Sequence, residues 1–362
     1  MKEWLNPFDI LGATPRDDRR RLTMLAQDAA LLVDEKEAQA AYTALINPET
    51  RLKAEVRWTE GHKHGLYEAF TALAKTLRKT DVQRAAGLIA ELCEDCEGVH
   101  AEALMLKINE NRTAADFRPA KTGEVQEALN DSIRGLAQLI AQNLRSDVQL
   151  GQMILMLVEA NPKLAFSPLL QMLAAEYEIR TAAKAEEERE KIAAQILKVN
   201  AGGRMNIAWE MDRLCRRVVR WNQLVLPLRK LRAARELPHE PSVSCFWAAR
   251  TTLDMPLKLL NAKLSWKLIC TLRDCFSDIE KLKETIGKDC ETIGELYEKQ
   301  KRLAQKNHKE IKRILPFLLV LLVFYLLASP DDLRKKVVVT LIMALILPLI
   351  WVLNRSNIKH IE

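Results

Sequence analysis

Between Leu272 and Leu303 the chain reads LRDCFSDIEKLKETIGKDCETIGELYEKQKRL, and this stretch decides the fold class. Leu272, Ile279, Ile286, Ile293 and Gln300 fall on one heptad position, and Cys275, Leu282, Asp289, Leu296 and Leu303 fall three residues later. Apolar residues at alternating spacings of three and four share one face of a helix, whereas a strand would alternate them every second residue. Isoleucine at the first position with leucine at the second favours a parallel helix pair. Asp289 interrupts the seam, and Gly287 and Gly294 each weaken a helix by about 1 kcal/mol. Two arrangements stay open: a homomeric coiled-coil-like stalk over 264–313, or a hairpin within the chain against a helix around Ser244 to Leu264.

On the C-terminal side two uncharged runs follow, Ile314–Ala328 (ILPFLLVLLVFYLLA) and Val337–Leu353 (VVVTLIMALILPLIWVL). As helices they reach about 22 and 25 Å, a little less than a bilayer's ~30 Å hydrocarbon core, and flanking lysines and arginines can extend to the headgroups. The connection SPDDLRKK permits only an antiparallel hairpin. Neither run has the polar face of a surface helix, so the expectation is a transmembrane helical hairpin over 314–353, with a buried hairpin in a soluble domain as the alternative. Lys301, Arg302, Lys306, Lys309, Lys312 and Arg313 precede the first run and Arg355 and Lys359 follow the second. The loop holds Arg334, Lys335 and Lys336. The cation bias places both termini in the cytoplasm and the loop outside. Residues 1–8 lack the apolar core of a signal peptide, so insertion is expected through the late hairpin.

Composition agrees with an all-α chain. Only 12 Gly and 13 Pro occur in 362 residues, too few for the turns of a sandwich, barrel or doubly wound sheet. No G-x-G-x-x-G or G-x-x-x-x-G-K-[ST] is present, which argues against the common nucleotide chemistries. No Ser/His/Asp order, Cys/His order or paired-carboxylate motif stands out, so the chain reads as a non-enzyme without cofactor.

The net charge of +7 is concentrated. Between Arg204 and Arg235 lie nine basic residues and two acidic ones, an excess equal to that of the whole chain. Arg213, Arg216, Arg217 and Arg220 are the candidate lipid- or anion-binding residues; a solvated helix face is the plainer reading, and nucleic acid is disfavoured because no aromatic platform accompanies the patch. Seven cysteines are expected as reduced thiols. Cys93, Cys96 and His100 make half of a metal site, which His62 and His64 would have to complete; helix packing is the plainer reading of the pair, and no metal is assigned.

Upstream of the stalk, a helical bundle or array is expected over 61–165, with Leu66, Phe70, Leu73 and Leu77, then Ala86, Ile89, Leu92 and Cys93 at helical spacing, and breaks near Lys79-Thr80, Gly98 and Pro119–Gly123. Asn161-Pro162 and Ser167-Pro168 punctuate it. A charged connector and the basic helices fill 166–263, and 354–362 forms a cytoplasmic tail.

The first 60 residues read as three helices and a tail. Asn6-Pro-Phe-Asp-Ile-Leu-Gly12 is a short helix closed by glycine. A second helix begins near Asp17, exposes Arg19, Arg20 and Arg21 and carries a stripe of Leu22, Leu25, Ala29 and Leu32. A third runs through Ala38, Ala41, Tyr42 and Leu45 to Asn47-Pro48. N-P-F-x-I-L-G at the front and A-Y-x-x-L-x-N-P-E-x-R from Ala41 to Arg51 resemble the J-domain of DnaJ-like co-chaperones over about residues 4–58. The resemblance implies a helical hairpin that docks on an ATP-driven heat-shock chaperone through Arg19, Arg20 and Arg21, with Tyr42, Leu45 and Arg51 holding the fold. The family's His-Pro-Asp is absent: Val33-Asp34-Glu35-Lys36 stands in its place, and Asp34 alone echoes it. That motif triggers ATP hydrolysis in the chaperone, so the resemblance implies binding without stimulation. The expected function is a membrane-anchored, cytoplasm-facing adaptor that recruits a chaperone or another protein; the alternative is a membrane-tethered scaffold that homodimerises through its stalk.

Overall fold

The computed structural model describes residues 6–61, 82–97, 100–144, 146–201, 206–258 and 261–328. Among them every regular element is helical and no strand occurs. The elements are α1 (Pro7–Leu11), α2 (Arg19–Ala30), α3 (Glu35–Ile46), α4 (Pro48–Gly61), α5 (Val82–Glu97), α6 (Ala101–Ala114), α7 (Thr122–Asn143) and α8 (Asp147–Ala160). A 3-10 turn (Pro162–Phe166) leads to α9 (Pro168–Ala201), α10 (Ile207–Ala234), α11 (Glu240–Arg250), α12 (Asp254–Lys258), α13 (Ala262–Phe276) and α14 (Glu280–Ala328). The chain divides into one compact unit of Met1–Glu186 with Gln223–His239 and another of Glu187–Asn222 with Glu240–Glu362, so α9 and α10 each contribute to both.

In the first unit α1 to α4 form a head whose hairpin, α2 against α3, closes over Leu22, Ala29, Ala38, Ala41 and Leu45. The alanines let the two helices approach closely. The array α5–α8 buries Ile89, Leu92, Val125, Leu129, Leu136, Ile140, Leu150, Ile154 and Leu157, and the start of α9 adds Leu169, Leu173 and Tyr177. Asn161 caps the 3-10 turn by accepting from Lys163 N at 3.1 Å, so the Asn-Pro break is a built corner. Gly151 allows a close approach here: a β-carbon would stand 3.0 Å from the Tyr177 ring and 3.1 Å from Pro227, and both would have to give by a few tenths of an ångström. Pro227 removes one N–H from the interior of α10, and one turn earlier the Leu224 carbonyl accepts the Tyr177 hydroxyl at 2.8 Å. Burial, then Asp147, pushes that hydroxyl's pKa up to about 12.

In the second unit an aromatic core joins Trp221 to Phe276 (6.4 Å between ring centroids) and Phe246 to Phe276 (6.0 Å). Here the heptad stretch departs from one continuous stalk. α13 ends at Phe276, the chain turns through Ser277–Ile279, and α14 runs back beside it. Trp266 stacks on Tyr297 at 6.1 Å with planes 5° apart, and the small Gly294 admits the indole. Asp289, the polar break in the seam, receives Arg250 through two hydrogen bonds of 2.5 and 2.8 Å. Ala262 N donates to Gln300 Oε1 at 2.8 Å and closes the hairpin. Leu282, Ile286 and Ile293 are thereby buried within the chain, while Leu296 and Leu303 are exposed. A hairpin within the chain is observed, but its partner is Ala262–Phe276 and not a helix around Ser244 to Leu264, a stretch that is split between α11, α12 and the start of α13; Asp289 finds its ion-pair partner, Arg250, in the same chain.

The backbone of α14 stays helical through 314–328, the first apolar run. Among the described residues no helix is long and apolar enough to cross a membrane. The side chains of 315–328 and all of 329–362 lie outside that description, as do 62–81, with Leu66, Phe70, Leu73, Leu77, His62 and His64, and the break at Gly98. The transmembrane hairpin therefore rests on the sequence alone.

Candidate docking site on the amino-terminal helices

Both helices of the hairpin start on an aspartate. Asp18 accepts from Arg21 N at 2.8 Å, and Asp34 accepts from Lys36 N at 3.0 Å. Such caps satisfy N–H groups that the first turn leaves free. Asp34, singled out for its echo of the family motif, thus has a structural task at the start of α3. Thr23 and Tyr42 hydroxyls meet at 3.0 Å and tie α2 to α3. α2 ends at Ala30, two residues short of the stripe's last member, Leu32. Leu31 and Leu32 consequently stand at the hairpin tip, 85% and 88% exposed, with Val33 beside them. The tip thus exposes two large apolar side chains.

Arg19, Arg20 and Arg21 occupy the first turn of α2 and are exposed. Cations there oppose the helix dipole, and no acidic residue follows within the turn to offset them. Arg19 lies 5.5 Å over the Phe117 ring, whereas Arg20 and Arg21 make no ion pair among the described residues. Three cations thus stand at the positive end of the helix dipole.

A second group of arginines lies beneath this surface and was missed in part by sequence reasoning. Arg51 is fully buried. Its Nε donates to Glu55 Oε1 at 2.7 Å, Nη2 to the Pro15 carbonyl at 2.8 Å and Nη1 to the Leu45 carbonyl at 3.4 Å. Arg112, from α6, donates through Nε to Glu55 Oε2 at 2.6 Å and to the Arg118 and Pro48 carbonyls. Phe117 is laid over Arg51 at 3.7 Å by a turn in which Asp116 takes a φ of 56° and Phe117 N bonds back to Arg112 O. Burial pulls the Arg51 pKa down, and Glu55 opposes that pull. Glu55 is the hub, and Arg112 and Phe117 extend the head's core into the array. The sequence offered one signal, Arg51 and Glu55 at helical spacing; nothing in it linked Arg112, 57 residues further on.

The remaining sequence candidates scatter. Arg213 covers Trp209 at 4.3 Å, and Arg216 pairs with Asp212 at 2.8 Å, a carboxylate that also takes Lys267. Arg217 is half-buried and Arg220 exposed, both without an ion pair among the described residues. Cys93 and Cys96 are buried, and burial above all pushes the Cys93 thiol up to about 11. Among the described residues no group of three metal-ligating side chains gathers. Comparison of the chain with protein-family models, curated proteins and solved structures returns no match.

Proposed function

We propose that the chain is a membrane-anchored, cytoplasm-facing adaptor whose J-like head docks a protein partner, an ATP-driven heat-shock chaperone in the first instance, without stimulating its ATPase. The supporting observation is the pair Arg20 and Arg21, exposed and without ion pairs at the start of a helical hairpin that a buried arginine network makes rigid. Docking cations on a fixed scaffold lose little entropy on binding. Val33-Asp34-Glu35-Lys36 stands where a stimulating member of the resembled family carries its trigger, which supports binding without hydrolysis. The hairpin 314–353 supplies the anchor in this reading.

The scaffold alternative keeps less to stand on. Leu282, Ile286 and Ile293 are spent inside the chain, which leaves Leu296 and Leu303 as the exposed part of the dimerising seam.

The test is a binding isotherm of the full chain in detergent with the purified chaperone from the same cell, followed by fluorescence anisotropy. Arg20→Glu with Arg21→Glu should weaken binding by about tenfold or more, since each charge reversal replaces attraction with repulsion at the contact. An unchanged isotherm removes the arginines from the interface, and no binding at high micromolar concentration removes the chaperone.

A further inference from the structure

Beyond Gln300, where the hairpin with α13 closes, α14 continues to Ala328. The segment 299–313 reads KQKRLAQKNHKEIKR, with seven lysines and arginines against one carboxylate, Glu310. Five of the cations, Lys299, Arg302, Lys306, Lys309 and Arg313, recur at intervals of three, four, three and four, so a helix lines them in one ridge about 21 Å long. All five are exposed, and none makes an ion pair among the described residues. Lys301, off the ridge, pairs with Glu298 at 3.7 Å. The exposed Leu303, Ile311 and Ile314 form a second, apolar ridge, with Leu303 and Ile314 about a quarter turn and Ile311 nearly half a turn round the helix from the centre of the cationic one.

Like charges three and four residues apart repel on a helix, and this ridge repeats that repulsion four times. The two ridges together make an amphipathic cationic helix, the form that lies at a lipid interface. We infer that the ridge of Lys299, Arg302, Lys306, Lys309 and Arg313 binds the anionic headgroups of the bilayer that the chain is anchored in. The inference rests on the membrane attachment proposed above and is independent of the J-like reading. Two observations favour a bilayer over a nucleic acid, whose phosphates a row of cations would also suit. The ridge ends where the apolar run 314–328 begins on the same helix, and the adjoining Leu303, Ile311 and Ile314 have a use at an acyl boundary and none on a phosphodiester backbone. The basic face of α10 is a weaker candidate for the same ligand, because Arg213 and Arg216 are already engaged by Trp209 and Asp212.

The experiment places an environment-sensitive thiol dye on Leu303→Cys in the full chain. Burial raises the pKa values of Cys93, Cys215, Cys270 and Cys290, so labelling near neutral pH favours the new, exposed thiol. The protein is reconstituted into nanodiscs of phosphatidylcholine alone or with phosphatidylserine at about three to one, an anionic content near that of a cytoplasmic leaflet. Brominated phosphatidylserine should quench the dye about tenfold more efficiently than brominated phosphatidylcholine at equal content, as an attraction of this many cations requires. The preference should vanish in salt of about 1 M, where screening acts within ~3 Å, and in a variant with all five residues changed to Gln. Retention in Arg302→Lys with Arg313→Lys supports a charge-based ridge. Equal quenching by both lipids overturns the inference while leaving the anchor intact. Failure of the chain to enter either disc overturns both. Capture by a DNA duplex that the five-Gln variant loses, with no lipid preference, assigns the ridge to nucleic acid and overturns it as well.

Discussion

The head and the last helix both concentrate arginine and lysine, and they use them in opposite ways. Around Glu55 the two guanidinium groups of Arg51 and Arg112 are buried, and their donors go to a carboxylate and four carbonyls. Along 299–313 five cations stand in water with no ion pair among the described residues. The first set has no capacity left for a partner and acts as an internal fastener. The second has all of its capacity left. Local charge density, which first drew attention to the stretch from Arg204 to Arg235, separates neither case; the fate of each donor does.

The sharpest way to break this comparison is Glu55→Ala. Removing the hub leaves two charged guanidinium groups buried without a carboxylate, at a cost of about 3–5 kcal/mol. Denaturant unfolding of the full chain, followed by far-UV circular dichroism, should show that loss. A loss below about 1 kcal/mol would mean that water reaches Arg51 and Arg112, and that the two regions differ less than their burial implies. Glu55→Gln keeps the shape and removes the charge, and it should fall between the two.

How much of this was legible in the sequence depends on the distance over which each interaction acts. Helix limits in the head were readable because their signals are local: Asp18 and Asp34 cap, Gly12 closes α1 with a φ of 61°, and Asn47-Pro48 separates α3 from α4. The pairing of Arg112 with Glu55 was not, since no short-range pattern joins residues so far apart. The stalk shows the same limit. A heptad run specifies that a face is apolar and says nothing about which helix covers it, and only Arg250 against Asp289 and Trp266 against Gly294 decide for the partner inside the chain. The cationic ridge was present in the spacing from Lys299 to Arg313, within the expected stalk, yet a count of flanking cations for topology carries no helical register.

A second, smaller effect concerns a group that sits among cations. Burial, aided by Arg232 and Arg229, pulls the His239 pKa down from 6.5 to about 4. The folded state therefore keeps this imidazole neutral in the range where the unfolded chain protonates it. Its stabilising contribution is present above pH 6.5 and is lost as the pH falls towards 4. His239 is partly open to solvent, so the loss is discounted to about 1–2 kcal/mol. Unfolding midpoints between pH 7 and pH 4.5 should fall less steeply in His239→Gln than in the parent. An identical slope would show that neither burial nor the two arginines perturb the imidazole.

The smallest effect is the most informative about function. Arg20 and Arg21 stand in the first turn of α2, where the helix dipole disfavours positive charge by about 0.3–1 kcal/mol. Arg20→Ala with Arg21→Ala should therefore leave the protein unchanged or slightly more stable, by up to about 1 kcal/mol, while weakening partner binding. Stability and binding then move in opposite directions at one pair of residues, whereas at Arg51 and Arg112 any change that matters must appear first in stability. A clear loss of stability in the double variant would mean that these arginines fasten the head as Arg51 does, and the exposed face of α2 would no longer be set apart from the buried one.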